Sequence, residues 1–281
     1  MVFKQTSRSI QILALSLIVS LYGCSGLTVK RTKNITYDGT HKLDVFKSKK
    51  TDTLQPVFIF VHGGNWNSGN KNQYFLIGNR LAKKGITTVI IDYPLAPKAN
   101  YEDMALAVAK AMNWCQKSIQ KHGGDSNHII AGGHSAGGHL ASIATMDVRF
   151  FDSLDTSSPI KGLVLIDAGG LDMYGYLKHE NLDSSHTYFD SFSKNPDTWK
   201  RASPLYHIND QTPPILTLLG EETYPSIKSS NRKFYTAFLK VQPDARRIVV
   251  PNKKHVAMIT QFFNGRNTLY DDLVKFIYEP K

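Results

Sequence analysis

The sequence predicts an α/β protein built on a doubly wound, mostly parallel sheet, and three observations carry that expectation. Short apolar runs recur along the chain, at Pro56 to Val61, Thr87 to Ile91, Ile129 to Ala131, Gly162 to Asp167, Ile215 to Leu219 and Arg246 to Val250. Segments of helical periodicity separate most of them, which is the pattern of strand–helix–strand units with both sheet faces covered. The periodicity then fails from Gly169 to about Asp210, an insertion long enough to mark a functional feature.

A chain of 281 residues with 41% hydrophobic and 20% charged residues can bury a sizeable core. The net charge of +11 is spread over scattered lysines and arginines. It reads as a solvated basic surface with some attraction to anionic membranes, and no nucleic-acid-binding motif accompanies it. Only Cys24 and Cys115 are present, too few for a disulfide framework. Cys115 reads as a small core residue on a helix.

Taken in order, residues 1–23 read as a targeting segment. Lys4 and Arg8 form a positive start, and Ile10 to Tyr22 is apolar apart from three polar residues. Leu21-Tyr22-Gly23-Cys24 resembles the lipobox of bacterial lipoproteins. That resemblance implies lipidation of Cys24, anchorage on a membrane, and a cell-envelope location on the periplasmic or extracellular face. Residues 24–36 are expected to be a polar, basic tether, although Ile35 to Tyr37 and Leu43 to Phe46 also alternate like two strands of a hairpin about Asp38-Gly39. Residues 37–281 are then expected to form one folded domain.

Pro56 to Val61 is continuous in apolar residues, as a buried strand requires. Tyr74 to Lys84 reads as a helix stopped by Gly85, and Tyr101 to Gln120 as a long helix stopped near Gly123-Gly124. Asp92, in the Pro-fixed loop after the second run, reads as a loop anchor. A helix is expected from Gly138 to Met146, another from Ser226 to Leu239, and helical segments from Val256 to about Tyr278. The insertion is dense in aromatics, among them Tyr176, Tyr188, Phe192 and Trp199, and is expected to form a partial cap over a substrate cleft.

Two glycine-rich stretches carry the chemistry. Gly133-His134-Ser135-Ala136-Gly137 joins a strand to a helix. The turn is so tight that it lifts the Ser135 hydroxyl clear of the sheet and aims the following helix N-terminus at the site. His62-Gly63-Gly64-Asn65-Trp66 follows an earlier strand. Backbone N–H groups of Gly63, Gly64 and Ala136 can form an oxyanion hole, which draws donors from two chain segments. His62 reads as orienting its loop, and Trp66 as either a core or a rim aromatic.

These motifs, in this order, resemble the hormone-sensitive-lipase-like and feruloyl-esterase-like carboxylesterases of the α/β-hydrolase fold. The resemblance covers Tyr37 to the C-terminus. It implies a nucleophile, an acid and a histidine in that chain order. His255, after the last strand and followed by Val256-Ala257-Met258-Ile259, matches the histidine. The family acid usually lies two to three residues after the glycine of the late strand. Here the third residue is Thr223, which leaves Glu222 as the expected acid. Glu221 comes next, with Asp167 and Asp172 after the preceding strand as further candidates.

The implied activity is a serine carboxylic-ester hydrolase acting on a small-molecule ester, with no metal or organic cofactor. Two alternatives stand beside it. His62-Gly63-Gly64-Asn65-Trp66 also matches the H-G-G-x-W signature of kynurenine formamidase, an amide hydrolase, whose cytosolic reaction fits a targeting segment poorly. The other alternative is a binding lipoprotein that keeps the fold without activity.

Overall fold

The computed structural model describes residues 28–180 and 182–281. Cys24 and the targeting segment lie outside the described residues. No helix among those described is long and apolar enough to cross a membrane.

The chain opens with two antiparallel strands, β1 (Val29–Thr36) and β2 (Lys42–Ser48). The residues expected as a tether are thus largely edge strand, because Ile35, Thr32 and Lys30 find register partners in Leu43, Val45 and Lys47. Next come β3 (Gln55–Val61), α1 (Phe75–Lys83), β4 (Thr87–Ile91), α2 (Tyr101–Ser118), β5 (Gly124–His134) and α3 (Ala136–Met146). A short helix, α4 (Arg149–Asp152), precedes β6 (Ile160–Ile166). The insertion is helical: α5 (Met173–His179), α6 (Tyr188–Phe192) and α7 (Pro196–Arg201). After it come β7 (Ile215–Gly220), α8 (Pro225–Phe238), β8 (Arg246–Val250), α9 (His255–Thr260) and α10 (Leu269–Tyr278).

The eight strands form one sheet in the order β1-β2-β4-β3-β5-β6-β7-β8. All neighbours from β4 to β8 are parallel, and β1 and β2 are antiparallel. Period-two alternation sorts their side chains between two apolar layers. Val57, Ile59, Val61, Leu163 and Leu165 face the layer built with α2, α3 and the insertion. Phe58, Phe60, Ile130, Val164 and Ile166 face the layer built with α1 and α10. Every described strand and both apolar layers lie within residues 28–281. Cys115 is buried in the first layer, as its place on a helix suggests.

The parallel register places the site. Val61 pairs with Gly133, His134 with Ile166, and Ile166 with Leu218. The residues that follow each pair therefore emerge together at the C-terminal edge of the sheet, where ligands bind in open α/β folds.

Candidate active site

Ser135 stands between β5 and α3 with φ 55° and ψ −124°, a conformation that a serine adopts only when the surrounding structure imposes it. Close packing is what imposes it. A Cβ on Gly137 would run into the carbonyl oxygens of Val61 and His62 at the end of β3, so glycine alone lets the elbow and the His62 loop meet. The same approach brings Gly63 beside the nucleophile, where a Cβ would lie 3.3 Å from that of Ser135. Gly64 has φ +132°, and a Cβ there would run into the Ser68 backbone. His62 is buried, donates from Nδ1 to the Gly63 carbonyl at 2.8 Å and stacks 4.3 Å from the Tyr93 ring. These contacts fix the loop. Ala136 is the first residue of α3, so its N–H has no intrahelical acceptor.

His255 lies at the start of α9, beyond the loop that follows β8. Its Nε2 is 2.9 Å from Ser135 Oγ, and its Nδ1 is 2.6 Å from Asp167 Oδ2. The carboxylate can only accept, so Nδ1 carries the proton and Nε2 offers its lone pair to the serine hydroxyl. Asp167 itself has φ 47° and is fully buried. Its second oxygen accepts from the Gly220 N–H at 2.8 Å, and the Thr223 hydroxyl donates to Oδ2. A buried carboxylate with each oxygen held by donors keeps its orientation.

Glu222, expected as the acid, does not meet His255. The turn after β7 is pinned by Glu221 N–H on Val250 O (3.0 Å) and Glu222 N–H on Lys253 O (2.9 Å). This turns Thr223 inward, where it is 4% exposed, and leaves the Glu222 side chain in solvent. Glu221 accepts from Asn252 N–H at 2.9 Å. Asp172 caps α5 through Gly175 N–H (2.8 Å) and pairs with Lys233 Nζ (2.6 Å). Asp92 anchors the loop that follows β4, as the sequence suggests, by accepting from Lys71 N–H at 2.7 Å.

Two further histidines frame the site. His134 donates from Nε2 to the His255 carbonyl at 3.1 Å. Burial, then the neighbouring His255 charge, lowers its pKa to about 4. His139 accepts on Nδ1 from Trp66 Nε1 at 3.1 Å and donates from Nε2 to Ala202 O at 2.6 Å. Both ring nitrogens are thus committed to the neutral form, and burial lowers its pKa to about 4.

Beside Ser135 and His255 lies a cavity of about 110 Å³ whose walls include Trp66, Gly169, Gly170, Met173, Tyr176 and Tyr188. It opens to a cleft of about 750 Å³ bounded by Gly64, Asn65, Tyr224 and Val256. Trp66 is at once core and wall: it is 4% exposed and packs edge-on against Tyr188 and Phe192. The insertion supplies Met173, Tyr176 and Tyr188, so its helices also roof the cleft. Tyr224 and Ser226 escaped the sequence reading, because the segment drew attention as an acid loop rather than as a wall. Among the described residues no group of His, Cys, Asp and Glu is arranged to hold a metal ion.

Comparison with known proteins agrees with this architecture. An isoprenylcysteine alpha-carbonyl methylesterase of Arabidopsis thaliana is 27% identical over 254 residues, covering 85% of this chain and 59% of the relative. The esterase LipQ of Mycobacterium tuberculosis is 30% identical over 199 residues, covering 66% and 46%. The chain therefore spans about half to three fifths of the length of such relatives. A truncated carbohydrate esterase from gut microbiota superposes with a TM-score of 0.78 at 20% identity, over 89% of this chain and 96% of the other. An esterase from Pyrobaculum calidifontis gives 0.69 at 21% identity, over 89% and 82%. At such identities these likenesses establish the fold, that of the α/β-hydrolases. The BD-FAE sequence profile matches residues 43–231, more than half of the chain and both glycine loops, and the chain belongs to the BD-FAE family.

Proposed function

We propose that the protein is a serine carboxylic-ester hydrolase in which Ser135 is the nucleophile, His255 the general base and Asp167 the acid that orients it. The observation that carries the reading is the unbroken chain from Ser135 Oγ through His255 to Asp167, at 2.9 Å and 2.6 Å. Ser135 Oγ attacks the ester carbonyl while its proton passes to His255 Nε2. The Ala136 N–H, with Gly63 or Gly64 from the facing loop, receives the developing oxyanion, and each such donor is worth about 3 kcal/mol. The imidazolium then protonates the leaving alcohol, and the neutral ring activates a water that releases the acyl group. Asp167 stabilises the imidazolium throughout and keeps its own charge.

The small chamber beside Trp66 and Gly169 suits a short acyl group, and the wider cleft suits the alcohol. That these relatives are named as esterases supports an ester rather than an amide substrate. Cys24 remains our proposed membrane anchor. The test is hydrolysis of p-nitrophenyl acetate, butyrate and laurate, and of N-formylkynurenine, by the protein and by Ser135→Ala. Turnover of the two short esters that vanishes in the variant is expected. A preference for N-formylkynurenine would support the amidase alternative, and no serine-dependent turnover of any substrate would refute a hydrolytic role.

A further inference from the structure

We propose that the end of the sheet opposite the cleft is a docking face for an anionic lipid bilayer, and that docking there turns the cleft toward the aqueous side. The parallel strands carry Ser135, Asp167 and His255 at their C-terminal edge, so their starts, Gln55, Thr87 and Gly124, lie at the other, roughly 20 Å away. Phe46 pairs with Thr88 and Val29 with Ser48, which places the first residues of the sheet at that same far end. The described residues thus begin at this end, and Cys24 is four residues before Thr28 in the sequence.

The far end is also where unpaired lysines gather. Lys30 and Lys47 are cross-strand partners, a placement that costs stability when like charges face each other. Together with Lys121 they line a hollow beside His122, whose pKa is lowered by burial and then by the Lys30 and Lys121 charges. Lys50 follows β2 at the same end, and Lys83 and Lys84, just before β4, line a separate hollow with Arg80 and Arg266. Among the described residues none of these six is ion-paired to a carboxylate. Asp52, Asp125 and Glu279 stand nearby in the sequence of the same end and do not balance them. Converging cations without internal counter-ions suit an external anionic surface, to which each lysine adds about fivefold in affinity. The position of the chain start favours lipid headgroups over a soluble polyanion.

The test is sedimentation of residues 28–281, which hold every described strand and are first checked for cooperative thermal unfolding, with vesicles of phosphatidylcholine alone or mixed 7:3 with phosphatidylglycerol, at about 0.1 M salt. Binding to the mixed vesicles only is expected. Lys30→Gln, Lys47→Gln and Lys121→Gln together are expected to weaken it about a hundredfold. Lys194→Gln, Lys200→Gln and Arg201→Gln, on the insertion at the cleft end, are expected to leave it unchanged. Equal binding to neutral vesicles, equal loss in the insertion variant, or retention on heparin without vesicle binding would each overturn the proposal.

Discussion

Replacing Asp167 by Asn tests the geometry most directly. The Gly220 N–H at 2.8 Å requires an acceptor at the Oδ1 position, so the asparagine carbonyl settles there and its NH2 group faces His255. His255 Nδ1, 2.6 Å from that atom, must then become an acceptor, and the ring proton moves to Nε2. A protonated Nε2 cannot take the Ser135 proton. Loss of the correct tautomer at a triad costs about four orders of magnitude, or about 5 kcal/mol of transition-state stabilisation. The expected kcat/KM on p-nitrophenyl acetate for Asp167→Asn therefore falls by about 10³ to 10⁴, while Glu222→Gln stays within about twofold because that side chain is in solvent. Thr223 Oγ1 touches the same carboxylate oxygen as His255. A carboxylate brought in as Thr223→Asp on the Asp167→Asn background is accordingly expected to restore at least about tenfold. Thermal unfolding of each variant separates lost chemistry from lost fold. A large loss in Glu222→Gln, with Asp167→Asn near wild type, would refute the reasoning.

Two further outcomes follow from the site. A Cβ on Gly169 would have Trp66 Cη2, 3.9 Å away, as its nearest neighbour, so Gly169→Ala fits without strain and fills part of the small chamber. The butyrate-to-acetate ratio of kcat/KM is expected to fall about tenfold, as for one methylene in a pocket, and an unchanged ratio would place the acyl group elsewhere. His139 has a folded pKa of about 4 against about 6.5 unfolded, so the unfolded chain binds more protons between these values. Its contribution is complete above pH 6.5 and is lost as pH falls toward 4, by about 3 kcal/mol. The drop in unfolding free energy from pH 7 to 4.5, measured in urea, is expected to be about 2–3 kcal/mol smaller in His139→Gln; an equal drop would show that another group sets the acid limb.

Much of the fold was legible because its signals are local. Six runs became six strands: in the five inner ones burial on both faces leaves few polar positions to disguise the strand, while Arg246–Val250 is an edge strand with exposed positions. Gly85 and Gly123, both with positive φ, end their segments as a helix stop should. The limits appear where tertiary pairing overrides composition. Val29–Thr36 is basic and reads as a tether, yet Arg31 pairs with buried Asp44 at 2.6 Å and gives the strand an inward charge partner. The insertion reads as aperiodic because its helices are only five to seven residues long, too short for a 3.6-residue repeat to show.

The acid was the hardest element to read, and the reason lies in register rather than motif. Ser135 and Asp167 each follow a residue of the same cross-strand pair, His134 and Ile166, so β6 delivers a carboxylate next to the nucleophile. In the family pattern the later strand supplies the acid, and in this chain Thr223 stands in that place. The threonine hydroxyl and the Gly220 N–H both reach back to Asp167, so the β7 turn holds a carboxylate that β6 provides. A glutamate one position away from that turn differs from a threonine in it only by the direction of a side chain. Backbone bonds from Lys253 and Val250 to the turn decide that direction, and they form only once β8 has docked. Strand pairing thus brings Asp167 rather than Glu222 to His255, although either carboxylate could serve chemically as a triad acid.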